Sequence, residues 1–85
     1  MKTHTVTMTD QAFEPNPLTV RRGDTVLWVN ADARPHSAKA DDGKTFKTKE
    51  LDQGKTEFTV IKHAPGRIPY TDGYGGHYKG VIIVI

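Results

Sequence analysis

Short runs in which apolar and polar residues alternate fill much of this chain, and turn-forming residues separate them. Alternation with a period of two marks a strand with one buried face. Thr3 to Thr9, THTVTMT, alternates Val6 and Met8 with threonines and predicts a half-buried strand. Leu18 to Arg21 predicts a short strand, turned by Arg22-Gly23-Asp24. Thr25 to Asn30, TVLWVN, gives the strongest strand pattern: Val26 and Trp28 share one side and Leu27 and Val29 the other, so both faces are expected to be covered. Thr56 to Ile61, TEFTVI, sets Phe58 and Val60 on one face and Thr59 and Ile61 on the other. Arg67 to Thr71 begins another strand. Gly80 to Ile85, GVIIVI, is apolar on both faces, the pattern of a buried last strand.

The stretches between these runs read as connections. Asp10 to Pro17 carries two prolines and predicts a loop or bulged crossover, with Phe13 plugging one end of the core. Ala31 to Pro35 turns the chain toward His36, Ser37 to Asp42 is extended, and Asp42-Gly43 turns again. Thr45 to Glu50 predicts a short edge strand guarded by Lys44, Lys47 and Lys49. Turns follow at Asp52 to Gly54 and His63 to Gly66. Pro69 sits inside a predicted strand and removes a ladder donor, so either a bulge or an open edge is expected there. No helical period of useful length occurs. The pattern predicts an all-β, Greek-key sandwich of seven or eight strands, with Trp28, Phe58, Val26, Val60, Ile68 and Val81 buried.

Composition narrows the picture. A chain of 85 residues suits one domain, residues 1–85, with one modest core. Neither an apolar run of about eighteen residues nor a charged segment leading into an apolar stretch opens the chain, so no membrane span and no signal peptide are expected. The formal charge of +2 comes from interspersed Lys, Arg, Asp and Glu and reads as a solvated surface. Tyr70, Tyr74 and Tyr78 near Lys79 and Arg67 superficially suggest base stacking, but their spacing is helical rather than strand-like, and no nucleic-acid partner is expected. The expected state is a monomer, with a protein partner left open. With 0 cysteines, disulfides and thiolate chemistry are excluded.

An ordered set of short motifs spans nearly the whole chain. They are Phe13-x-Pro15, Leu18-x-Val20, Gly23-Asp24-x-Val26-x-Trp28-x-Asn30, Pro35-His36-Ser37, Phe58 with Pro65-Gly66, Tyr70, and Lys79-Gly80-Val81. In this order and spacing the chain resembles the cupredoxins, the blue-copper proteins of the plastocyanin and amicyanin kind. The resemblance implies a copper held by His, Cys, His and a weak axial Met, and a periplasmic or other extracytoplasmic location. It puts His36 at the first His position. The other ligands belong to a loop of form Cys-x-x-His-x-x-Met with a glycine two residues later. Counted back from Gly80, the Met position is Tyr78, the second His position is Gly75 and the Cys position is Asp72.

A type 1 copper centre needs a thiolate, so the family's electron-carrier role is not expected here. Asp72 offers a carboxylate instead. Two readings stay open. In one, His36 and Asp72, with His77 folding inward and the Tyr78 phenol at the axial position, form a non-blue site for Cu(II) or Zn(II). In the other, His36 keeps a structural hydrogen bond, Asp72 caps a turn, His77 lies in water, and the domain is a metal-free interaction module or engineered scaffold. Either way His36 and Asp72 are expected to be neighbours, the carboxylate raising the imidazole pKa unless burial opposes it. A set of two histidines and a carboxylate can also hold an oxygen-activating metal, but no base or substrate pocket is legible, so no enzyme is expected. His4 and His63 are expected at the other end, as surface histidines or a chance metal pair.

Overall fold

The computed structural model describes residues 1–74 and 78–85. Its strands are β1 (Thr3–Met8), β2 (Phe13–Glu14), β3 (Leu18–Val20), β4 (Thr25–Asn30), β5 (Lys39–Ala40), β6 (Thr56–Val60), β7 (Gly66–Thr71) and β8 (Lys79–Val84). They form two four-stranded sheets, ordered β2-β1-β4-β6 and β3-β8-β7-β5. Parallel pairs β1/β4 and β3/β8 mix with antiparallel ones, so both sheets are mixed. This is the all-β sandwich that the alternation predicts. Among the described residues no helix is long and apolar enough to cross a membrane.

The core lies between the sheets and is built on an aromatic cluster. Trp28 is fully buried, with ring centroids 5.2 Å from Tyr70, 5.5 Å from Phe46 and 6.1 Å from Phe13. Phe13 is the expected plug at one end, held on the short β2 beside Met8. Gly80 is required by space: a Cβ there would overlap the Tyr70 ring. The Tyr70 hydroxyl is buried with no hydrogen-bond partner among the described residues.

Three expected core residues are not in the core. Phe58 is 66% exposed and Val60 42% exposed, and Val81 is only half-buried. The register is the cause. β4 buries Val26 and Trp28, so the residues paired with them, Thr59 and Glu57, face inward, while Phe58 lies opposite Leu27 and Val60 opposite Thr25 on the outer face. Thr59 accepts the Trp28 indole N–H at 3.1 Å, which a phenylalanine cannot do. Ile61 is buried. Val81 pairs with exposed Pro69, and its neighbour Ile82 takes the core position. The outer face of β4 is likewise only half-covered at Leu27 and Val29.

Two other details shape the site. Residues 45–50 form no strand but bridge to β5 at Lys47, with the Ala40 N–H on Phe46 O at 3.0 Å and the Thr48 N–H on Ala38 O at 2.9 Å. Phe46, Thr48 and Leu51 turn inward. At Pro69 the β7/β8 register runs on without a bulge. Its carbonyl accepts the Asp41 N–H at 2.9 Å, so its backbone polar groups point toward β5, where that strand's two-residue ladder ends. The missing donor therefore faces Asp41, just past the end of β5, and neither the expected bulge nor an open edge is found at Pro69.

Candidate functional site

Asn30, at the end of β4, is fully buried and organises the turn that delivers His36. Its amide donates to Leu51 O at 2.7 Å and Arg34 O at 2.9 Å, and its Oδ1 accepts the Asp32 N–H at 2.8 Å. His36 then pairs with Leu51 through backbone bonds of 3.1 and 2.8 Å. This anchoring drives the imidazole into the sandwich end, where it is 0% exposed. From the other sheet, β7 delivers Asp72. Asp72 Oδ1 accepts the Ser37 N–H at 3.0 Å and the Tyr74 N–H at 2.9 Å, and Gly73 N donates to Ser37 Oγ at 3.0 Å.

The two loops meet at His36. Its Nδ1 is hydrogen-bonded to Asp72 Oδ2. Its Nε2 is 2.7 Å from Asp32 Oδ2, which Arg34 Nε approaches at 3.5 Å. The Tyr78 hydroxyl donates to Thr9 O at 2.8 Å and lies 3.3 Å from His36 Nδ1. Both ring nitrogens face carboxylates that only accept, so the form satisfying both is the imidazolium, a donor at each nitrogen. Burial alone would lower the His36 pKa; the hydrogen bonds to Asp32 and Asp72 outweigh it and the pKa is raised. The bond from His36 is the main reason that the Asp32 carboxyl is held below its ordinary value. Burial, with the Asp72 charge adding to it, pushes the Tyr78 phenol up.

His36 and Asp72 are thus neighbours, as expected, and Tyr78 joins them. Gly75 and His77 lie outside the described residues. Asp32 was missed by the sequence reading. The sequence signal for it is slight: Asp32 sits four residues before His36, and only the burial of the ring shows that its second nitrogen needs a partner. At the opposite end, His4 is not a solvated surface residue. Its Nε2 lies 2.9 Å from Asp24 Oδ2, and Asp24 also accepts backbone N–H groups from Lys2 and Arg21, each at 3.0 Å. These bonds, His4's foremost, hold the Asp24 carboxyl far below its ordinary value. His63 instead sits 2.5 Å from Ala64 O, so the two histidines have separate partners.

A cupredoxin-family model, described as a cupredoxin-like domain, matches residues 1–84. The chain belongs to this family. Among solved structures it is similar to a purple cupredoxin from Nitrosopumilus maritimus, at 21% identity and TM-score 0.84, over 96% of this chain and 99% of that one. It is similar to an oxidised amicyanin variant at 22% identity and TM-score 0.85, over 96% and 81%. A copper-containing nitrite reductase from Thermus scotoductus matches at 28% identity and TM-score 0.85, over 96% of this chain and 22% of that one. No curated protein matches the sequence.

The donor set does not fit the family's blue copper. The chain has no cysteine, and neither Met1 nor Met8 lies in the Asp72–Gly80 loop. The one His–carboxylate pair at the position is closed on itself. Nδ1 of His36 and Oδ2 of Asp72 are hydrogen-bonded to each other. Asp32 bonds the other nitrogen, across the ring, so the three groups do not converge. Among the described residues no three or more His, Cys, Asp or Glu side chains could hold one ion.

Proposed function

We propose that this is a cupredoxin domain that works without a metal, as an interaction module outside the cytoplasm, neither an electron carrier nor an enzyme. One observation carries the reading: both nitrogens of the buried His36 are engaged by carboxylates, Asp72 on one side and Asp32 on the other. The imidazolium charge stands at the metal position and compensates two acids that burial would otherwise make costly. The nitrite reductase match supports a modular role, since the matched stretch is 22% of that longer chain.

The test is a titration of chelator-treated protein with Cu(II) and with Zn(II), followed by absorption and by NMR of the His36 ring. The expected result is no intense thiolate-to-copper band and no saturable event at His36, with wild type and His36→Ala behaving alike. Stoichiometric binding abolished in His36→Ala and weakened in Asp72→Asn would overturn the reading.

A second reading has its own support, because the Asp72 carboxylate and the Tyr78 phenol lie on the same side of His36, near Nδ1. That arrangement favours a non-blue Cu(II) or Zn(II) site of His36, Asp72 and Tyr78, with His77 as a further ligand. Binding would then displace the shared proton, so affinity would fall as pH drops through the raised His36 pKa.

A further inference from the structure

Four strands end the two sheets, and three of them are blunted. β2 has two residues and runs into Pro15 and Pro17; β3 has three and follows Pro17; β5 has two, is bridged by residues 46–48 and is flanked by Lys47. Short length, proline and lysine are the devices that keep sheet edges from pairing. β6 has five residues with neither proline nor lysine among them, and its one charge, Glu57, points inward and leaves the outer edge clear.

Its outer edge is available. The Ile61 N–H bonds Asp24 O at 2.8 Å and the Ile61 carbonyl accepts the Gly23 N–H at 2.7 Å, so Ile61 points toward β4. Antiparallel alternation then turns the backbone N–H and C=O of Thr56, Phe58 and Val60 away from β4, toward the edge. Among the described residues none of these groups has a hydrogen bond. The side chains of Phe58 and Val60 stand exposed beside them, next to half-buried Leu27 and Val29. Exposed Lys55 precedes the strand, and exposed Lys62 and Arg22 lie at its far end.

We propose that this edge docks an extended segment of a partner protein as an added strand, one with apolar side chains at alternate positions and acidic residues beyond them. The proposal rests on the interaction-module reading. Backbone groups of Thr56, Phe58 and Val60 supply the ladder, Phe58 and Val60 select the apolar side chains, and the lysines select the acidic ends. A second copy of this chain fits worse. In an antiparallel pair centred on Phe58 or on Thr59, Lys62 of one copy falls within one residue of Lys55 of the other, at both ends.

The test uses a blocked synthetic peptide in which valines alternate with threonines between paired aspartates, and a counterpart with lysines in place of the aspartates. Amide exchange is followed by NMR on the full chain. The aspartate peptide should slow exchange of the Thr56, Phe58 and Val60 amides about tenfold at millimolar concentration, and the lysine peptide should act several-fold more weakly at low salt. Val60→Pro removes one outward donor without touching the β4 ladder and should weaken docking, as should Phe58→Lys, with thermal unfolding as the folding control; if the proline variant does not fold, the lysine variant carries the test. No change at the three amides, equal binding of the lysine peptide, or protection that grows with protein concentration alone overturns the proposal. Metal binding at His36 with the peptide effect intact would sink the metal-free reading and leave the docking edge standing.

Discussion

β4 has an imidazole–carboxylate group beyond each of its ends. Before its start, His4 and Asp24 meet; after its end, His36 meets Asp72 and Asp32. The chemistry is the same and the wiring is reversed. At the first end the carboxylate is the hub: Asp24 collects three donors, and His4, 17% exposed at its side chain, is one of them. At the second end the imidazole is the hub: His36, with nothing exposed, serves two acceptors. Removing a spoke leaves a hub with partners, whereas removing the buried hub strands the buried charge of Asp72, while Asp32 keeps Arg34 and the Ala33 N–H.

The largest effect should come from the buried hub. His36→Ala leaves the fully buried Asp72 side chain without its cation and should destabilise by about 3–5 kcal/mol, the scale for breaking a buried ion pair. Urea denaturation measures it; a loss no greater than that of His4→Ala would break the comparison. Next comes Asp72→Asn, which keeps the shape but removes the charge. It should cost about 1–3 kcal/mol by the same measurement, with Asp32 still holding Nε2.

The two ends should also separate by pH. The His36 pKa is raised, so its stabilisation is whole below the unfolded imidazole value of about 6.5 and is lost as pH climbs through the raised folded value. The Asp24 pKa is depressed, so its stabilisation is whole above about 3.9 and is lost only in strong acid, through the lowered folded value. Urea midpoints across pH should therefore fall on the alkaline side in wild type, and that fall should flatten in His36→Ala while the acid limb remains. The smallest effect is that of His4→Ala, at most about 1 kcal/mol, as for a partly exposed pair; thermal unfolding near neutral pH checks it.

Much of this arrangement can be read from residues alone, where a pattern has one solution. TVLWVN comes nearest to that: its tryptophan marks the Val26 and Trp28 face as the inner one, although the apolar Leu27 and Val29 opposite, expected to be covered too, are only half-covered. TEFTVI has two, since either face carries apolar groups, and hydrophobicity favours Phe58 and Val60. The indole N–H of Trp28 decides for Thr59, a polar need that apolar patterning does not register. The meeting of His36 and Asp72 follows from the family spacing, but Asp32 and Asp24 answer hydrogen-bond needs of imidazoles whose burial only the folded chain reveals.

The overlap that a Cβ at position 80 would make with the Tyr70 ring has a consequence for related sequences. The constraint is steric and joins two residues paired across β7 and β8. Among homologues, a change at one position should accompany a change at the other: glycine at 80 wherever 70 is a large ring in this pose, and larger residues at 80 only where 70 has shrunk. Covariation of that pair, rather than invariance of either, is the trace this packing leaves in an alignment.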